Sequence, residues 1–226
     1  MRTLTLLFSL IVAFPFTLSA QSAGELLQKV SVALSEGQDD YAVSVFRQSA
    51  NAGVEQTEMF YLTQVEKNSA VAPRLANELA TYYKRKRNYD KAYLFYREFL
   101  QYHSEDVPAL MACAEMEMMR GKEKDALKTY EKVLMLDANN LQANIFLGNY
   151  FYLQAERDKK KLEDDYKKIV SPTRMQYARY RNGLSEVYSN GYSKAKGYLQ
   201  RVLQLFPSTE AGKTLEKIKK LEAEIK

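Results

Sequence analysis

Apolar residues recur along most of this chain at intervals of three and four positions, the spacing that places side chains on one face of an α-helix. Residues 26–34 carry one such stripe, and similar stripes follow to the end of the chain. Short polar segments interrupt the stripes, among them residues 36–40 and Asn190-Gly191. Such segments are typical of turns, so the pattern predicts a succession of helices that pack through their apolar faces.

One arrangement of helices occurs twice in the same register. Ala92 lies 34 residues before Ala126, and the same offset relates Ala80 to Ala114. Small residues at these positions allow two antiparallel helices to approach closely, while larger apolar residues fill the surrounding space. Because one such pair cannot bury its apolar stripe alone, we expect several stacked pairs.

This pattern resembles the tetratricopeptide repeat family. The resemblance implies an all-α fold, an α-solenoid of tetratricopeptide-like helix pairs that forms a single helical domain over residues 21–226. Clear repeats are expected at residues 73–106 and 107–140. Degenerate repeats are expected at residues 24–52, 141–170 and 174–208, with an extra helix at about residues 55–67 and a capping helix at residues 209–226.

The segment 141–170 begins as a third repeat and then departs from the pattern. No Gly, Asn or Pro occurs between Tyr152 and Lys161, and the expected small residue falls on Lys160. We therefore predict one extended helix over this segment that projects beyond the stack. A turn near Arg157, which would give a further full repeat, is the alternative.

The first 20 residues predict a cleavable signal peptide. Arg2 precedes an apolar run from Leu4 to Phe16, and the small residue Ala20 precedes Gln21. The run is short for a membrane span, and no Cys near the cleavage point would accept a lipid anchor. The sequence thus predicts a periplasmic or secreted protein that has no integral membrane span after cleavage.

Composition offers little for catalysis. The chain has one Cys and one His, so a disulfide within the chain is impossible and a metal site of the usual ligand types is not expected. Cys113 is interpreted as a buried structural thiol, and no phosphate loop or nucleophile elbow is present. Glu115 and Glu117 lie among methionines but face different directions. We predict a protein that is not an enzyme and needs no cofactor.

The resemblance also implies where a partner would bind, since the family lines its concave surface with the first helix of each repeat. Mapped onto this sequence, those positions are Arg74, Asn77, Thr81, Lys84, Met111, Glu115, Met118, Gln142, Ile145, Asn149 and Tyr152. The centre of this set is apolar and rich in Met, which suits an adaptable contact with a helix or an extended peptide. Two interpretations stay open: the groove accepts a partner, or the extra helix or the terminal helix fills it.

The net charge of +5 combines 33 basic and 28 acidic residues, a mixture that does not indicate a nucleic-acid partner. Lys84, Arg85, Lys86 and Arg87 form a basic turn that would suit peripheral contact with an anionic envelope surface. The resulting hypothesis is a scaffold or adaptor of the cell envelope that binds a protein or peptide partner. Binding of a glycan or an anionic lipid, and self-association as a structural spacer, are the alternatives.

Overall fold

The computed structural model describes residues 21–225, and the predicted signal peptide lies outside this range. The described residues form α-helices joined by short turns and contain no β-strand, which confirms the all-α prediction. The helices are α1 (Ala23–Ser35), α2 (Asp39–Ala52), α3 (Val54–Gln64), α4 (Ala72–Arg85), α5 (Tyr89–Tyr102), α6 (Val107–Met119), α7 (Glu123–Leu136), α8 (Leu141–Lys167), α9 (Arg174–Val187), α10 (Ser193–Leu205) and α11 (Thr209–Ile225), with a π-helical segment (Tyr188–Tyr192) between α9 and α10.

The described residues fall into two compact units, the first ending at Glu66 and the second beginning at Lys67. In the first unit, α1 and α2 form a helix pair and α3 packs against both. Val30, Ala42 and Phe46 are fully buried in this pair, because the turn at Glu36–Gln38 brings the two apolar faces together. The prediction that residues 21–226 form a single domain stays a prediction.

The second unit contains the two helix pairs of the 34-residue repeat, α4–α5 and α6–α7. The repeated Ala residues that the sequence placed between the helices are all fully buried, at Ala80, Ala92, Ala114 and Ala126. The turns repeat as well: Arg87 and Gly121 are 34 residues apart and adopt left-handed φ angles of 60° and 70°. The tetratricopeptide-like helix pair is confirmed.

Helix α8 is continuous over 27 residues, which confirms the extended helix; the turn near Arg157 is not formed. Its second half is rich in charged residues and is supported by contacts one turn apart, such as the ion pair of Lys159 Nζ with Glu163 Oε1 at 3.3 Å. This half does not project alone, because α9 packs along it.

The partner of α8 differs from the predicted pairing. Residues 174–208 were expected to form a helix pair of their own, with a turn at Asn190-Gly191. Instead α9, the π-helical segment and α10 follow one another without a turn, and α10 packs mainly along α8. The third pair is therefore an elongated hairpin of two helices.

Gly191 explains why the sequence suggested a turn where none occurs. A Cβ atom placed on Gly191 would lie 2.5 Å from Ala155 Cβ and 3.4 Å from the Phe151 carbonyl oxygen. The residue is glycine because two helix backbones meet there, and its φ angle is not in the left-handed region. Gly148 makes a similar approach to Leu199, with 2.8 Å to Leu199 Cδ2.

Helix α11 closes this end of the second unit, as predicted for a capping helix. Its Ala211, Leu215 and Ile218 are buried in a cluster with residues of α10, including Leu199 and Val202. Its other side is charged and exposed. Within residues 21–225, no helix is both long enough and apolar enough to cross a membrane.

Candidate functional site

The predicted partner-facing residues lie on α4, α6 and α8, and all of them keep some exposure to solvent. Four of them, Met118, Gln142, Ile145 and Asn149, line a groove of about 720 Å³ on the face of α8 that adjoins the ends of α6 and α7. The other seven of the eleven lie outside this groove. We call it the α8 groove; its complete lining is Met118, Glu123, Gln142, Ile145, Phe146, Asn149, Tyr150, Leu153, Glu156, Arg157 and Lys160.

The centre of the α8 groove is apolar and open to solvent. Ile145 is 38% exposed and Leu153 is 56% exposed, which is high for large aliphatic side chains of a folded helix pair. Because Ile145, Asn149, Leu153 and Arg157 are four residues apart, they lie along one face of α8 and span about 18 Å. The capping helix does not fill the groove, since its apolar residues are buried against α10.

Aromatic stacking holds one wall of the groove in place. The Phe146 ring stacks on Tyr130 with 4.2 Å between centroids, and Tyr150 lies 6.1 Å further along. Tyr130 is buried in the core of the α6–α7 pair together with Ala126 and Val133. The wall is therefore part of the fold itself and is formed before any partner binds.

Charged residues lie at one end of the groove. The Glu156 carboxylate accepts a hydrogen bond from the Tyr192 hydroxyl at 2.6 Å, so it is held by the protein's own core. Arg157 and Lys160 make no ion pair with any residue of the described range 21–225. This end of the groove therefore presents two cations that have no ion-pair partner in that range, beside a Glu156 carboxylate that is already hydrogen-bonded.

The remaining predicted residues lie elsewhere. Lys84 Nζ pairs with Glu115 Oε2 at 2.5 Å and links α4 to α6, while Met111 packs against the core cluster around Leu110 and Leu147. Tyr152 makes an edge contact with Tyr192, with 5.9 Å between centroids, so it faces the π-helical segment. Arg74, Asn77 and Thr81 lie on α4, away from the groove lining.

The basic turn is partly occupied by contacts within the protein. Besides the ion pair of Lys84, the charged groups of Arg85 and Lys86 lie 5.5 Å and 5.8 Å from the centroid of the Tyr82 ring. These contacts hold the side chains along the helix end. The turn thus has a structural explanation, and contact with an anionic surface at this place stays a prediction.

Sequence reasoning missed the other residues of the groove lining, namely Glu123, Phe146, Tyr150, Leu153, Glu156, Arg157 and Lys160. The family pattern led the prediction to stop at Tyr152, where the first helix of an ordinary repeat would end. Since α8 continues, the same face continues with it. The spacing of four from Asn149 to Leu153 and Arg157 was the signal that would have found two of these residues.

A buried carboxylate and a buried thiol lie next to each other inside the α6–α7 pair. The Glu117 carboxylate accepts a hydrogen bond from Thr129 Oγ1 at 2.7 Å, and burial raises the pKa of Glu117. Burial also raises the pKa of Cys113, to about 12. Cys113 is therefore a protonated packing residue at neutral pH, as predicted. Among the residues the structure describes, no group of three or more His, Cys, Asp or Glu is arranged to hold a metal ion.

Comparison with known proteins shows the family of this chain. No family profile and no curated protein matches the chain. A Bacteroides ovatus protein of known crystal structure, named provisionally as a protein-binding protein, is 59% identical in sequence to this chain. The alignment covers 91% of this chain and 100% of the Bacteroides ovatus chain, and the two structures superpose with a TM-score of 0.78. This chain belongs to the same family. Its 34-residue helix pairs make that family one of tetratricopeptide-like helical proteins.

More distant structures also align over most of the chain. MamA protein is 10% identical with a TM-score of 0.38, covering 90% of this chain and 89% of its own. YrrB, a tetratricopeptide protein with an unusual peptide-binding site, is 13% identical with a TM-score of 0.37, covering 89% of this chain and 100% of its own. These values are too low to support an inference about binding.

Proposed function

We propose that this protein is a non-catalytic scaffold of the cell envelope whose α8 groove holds a segment of a partner protein. The observation that carries the proposal is the open apolar centre of the groove, where Ile145 and Leu153 are exposed beside a rigid aromatic wall. A fixed concave surface of this kind binds an extended or helical peptide at a low cost in conformational entropy. The provisional name of the Bacteroides ovatus relative agrees with a protein-binding role.

The groove also suggests the chemistry of the segment. Its apolar centre would accept two or three aliphatic or aromatic side chains that project from one side of the partner peptide. Arg157 and Lys160 would then meet an acidic residue, or a terminal carboxylate, at the end of that peptide. The proposed partner segment is thus short, apolar on one side and acidic at one end.

The envelope location rests on the predicted signal peptide. If the prediction holds, the exported protein begins at Gln21 and is found in the periplasmic or extracellular fraction. Intact-mass measurement of the protein from its native host, together with cell fractionation, tests this directly. A mass that includes residues 1–20 would contradict it.

The groove is tested by placing a photo-crosslinking amino acid at Leu153 and identifying the captured segment by mass spectrometry. We expect a peptide with the apolar and acidic pattern described above. A synthetic copy should bind the wild type in fluorescence anisotropy and lose binding to an Ile145→Glu, Leu153→Glu variant. The matched control is Leu94→Glu, Met135→Glu, which adds the same charge at two exposed apolar residues outside the groove.

Two results would refute the proposal. One is a synthetic peptide that binds the groove variant and the control variant equally well. The other is crosslinking from Leu153 only to other copies of this chain, which would indicate self-association. Replacing the acidic residue of the peptide with Asn should weaken its binding to the wild type and have little effect on an Arg157→Gln variant, since the charge pair would already be absent.

A further inference from the structure

The tip of the elongated hairpin exposes apolar side chains that the proposed scaffold function does not use. Helix α8 ends at Lys167 and α9 begins at Arg174. Around the connection between them, Val170 is 98% exposed, Met175 is 66% exposed and Tyr177 is 52% exposed. Large apolar residues clustered at a protruding turn indicate a surface that meets something less polar than water.

The charge of this tip is of one sign. No Asp or Glu occurs between Asp165 and Glu186, whereas this segment contains five basic residues: Lys167, Lys168, Arg174, Arg179 and Arg181. Lys168 Nζ pairs with Asp165 at 2.8 Å, and Arg181 donates hydrogen bonds to the backbone carbonyls of Glu224 and Ile225. Lys167, Arg174 and Arg179 are exposed on the same segment, and Arg179 Nη2 donates to Met175 Sδ at 3.7 Å.

The acidic residues of α8 lie further from the tip. Glu163, Asp164 and Asp165 precede Lys167 by up to about one turn of helix. Glu163 and Asp165 are engaged by Lys159 and Lys168. Val170 thus lies at the end of the hairpin, and Lys167 and Lys168 separate it from the acidic residues of α8, of which Glu163 and Asp165 are paired.

The tip is held in a fixed conformation. The rings of Tyr166 and Tyr180 stack across the hairpin with 4.3 Å between centroids. Thr173 and Gln176 form a capping box that fixes the start of α9, with the Gln176 backbone N–H donating to Thr173 Oγ1 at 3.2 Å. Val170 stays almost fully exposed at this tip, while the Tyr177 ring lies 6.4 Å from the Tyr166 ring and still leaves half of its side chain open to solvent.

We propose that this tip binds the surface of a lipid bilayer that carries anionic headgroups. Val170, Met175 and Tyr177 enter the interfacial region, where amphipathic and aromatic side chains are favoured. Lys167, Arg174 and Arg179 contact the headgroup phosphates, and the two contributions act together as a reversible anchor. This goes beyond the scaffold function: it holds α8, and with it the groove, close to a membrane.

Fluorescence of a single introduced Trp tests the depth of the tip. The chain contains no Trp, so a Val170→Trp variant has one reporter at the tip. With vesicles of equal parts phosphatidylglycerol and phosphatidylcholine, we expect its emission to shift to shorter wavelength. A Met135→Trp control places the reporter at a residue that is 84% exposed on α7, and its emission should not change.

Vesicle sedimentation of the protein without the Trp substitutions tests the charges. The double variant Lys167→Gln, Arg174→Gln should bind the anionic vesicles roughly 30-fold more weakly than the wild type. The control variant Lys128→Gln, Lys132→Gln removes the same charge from α7 and should bind nearly as well as the wild type. The proposal is overturned if the wild type does not bind these vesicles at low salt, or if both double variants lose binding equally. It is also overturned if Val170→Trp shifts without vesicles as protein concentration rises, because the tip would then be a contact between copies of this chain. The groove variant Ile145→Glu, Leu153→Glu should bind the vesicles like the wild type, which separates this test from that of the scaffold function.

Discussion

Gly191→Ala is expected to destabilise the protein, although the same change in most helices is stabilising. Gly191 lies in the helical run that joins α9 to α10 and meets α8 at Ala155. An added Cβ would be 2.5 Å from Ala155 Cβ and 3.2 Å from Ala155 Cα. Neither of these atoms can rotate away, so the two helices would have to separate.

The size of the effect follows from two opposing contributions. Replacing Gly with Ala inside an exposed helix stabilises by about 1 kcal/mol. Forcing one extra methyl group into a closely packed helix contact costs about 1–3 kcal/mol, and a contact between two backbones belongs at the upper end of that range. The net expectation for Gly191→Ala is a loss of about 1–2 kcal/mol in the free energy of unfolding.

Gly197 provides the matched control. It lies in α10, and a Cβ added there would have no atom within 4 Å. Gly197→Ala should therefore raise the free energy of unfolding by about 0.5–1 kcal/mol. Urea unfolding followed by circular dichroism at the helix band measures both variants under the same conditions.

A second substitution isolates the contact. The double variant Gly191→Ala, Ala155→Gly moves the methyl group from one helix to the other and so removes the clash. It should recover most of the stability that Gly191→Ala loses, less the helix cost of about 1 kcal/mol for Ala155→Gly. The reasoning is refuted if Gly191→Ala stabilises the protein as much as Gly197→Ala does. It is equally refuted if adding Ala155→Gly to Gly191→Ala changes the stability only by the helix cost of Ala155→Gly, because the two residues would then not be in contact.

Three further predictions concern the α4–α7 pairs. Gly121→Ala should lower the free energy of unfolding by about 1 kcal/mol, because a Cβ atom is unfavourable at φ 70° even though the space around it is open. Arg87→Gly at the matching turn should raise the free energy of unfolding by up to about 1 kcal/mol. Urea unfolding measures both variants, and an unchanged stability of Gly121→Ala would contradict the left-handed turn. Burial raises the pKa of Glu117 above its ordinary 4.5, so the native state binds more protons than the unfolded state just above that pH and stability falls as pH rises through this window. Glu117→Gln removes this fall and should gain relative to the wild type by about 1.4 kcal/mol for each unit by which the pKa is raised; parallel stability curves between pH 4 and 7 would contradict it. Cys113, with its pKa raised to about 12, should react with iodoacetamide only after unfolding, and rapid alkylation of the native protein would show that the thiol is accessible.

The sequence by itself determined the helices and the repeated pairs. Ala80 and Ala114, spaced by the repeat, were predicted to be buried between helices, and the structure buries both completely. Such patterns are readable because helix formation and the burial of one face depend on residues three and four positions apart. The continuous helix α8 was predicted because no Gly, Asn or Pro occurs between Tyr152 and Lys161, where an ordinary repeat would turn.

Only the tertiary structure decided which helices pack together and where open surface remains. Asn190-Gly191 has the composition of a turn, yet Gly191 serves a contact with Ala155, more than thirty residues earlier in the chain. Likewise, Tyr152 and Leu153 are neighbours in sequence, but Tyr152 packs on Tyr192 and Leu153 faces the α8 groove. The physical reason is that close approach and exposure depend on the partner helix, and local spacing does not specify which helix that is.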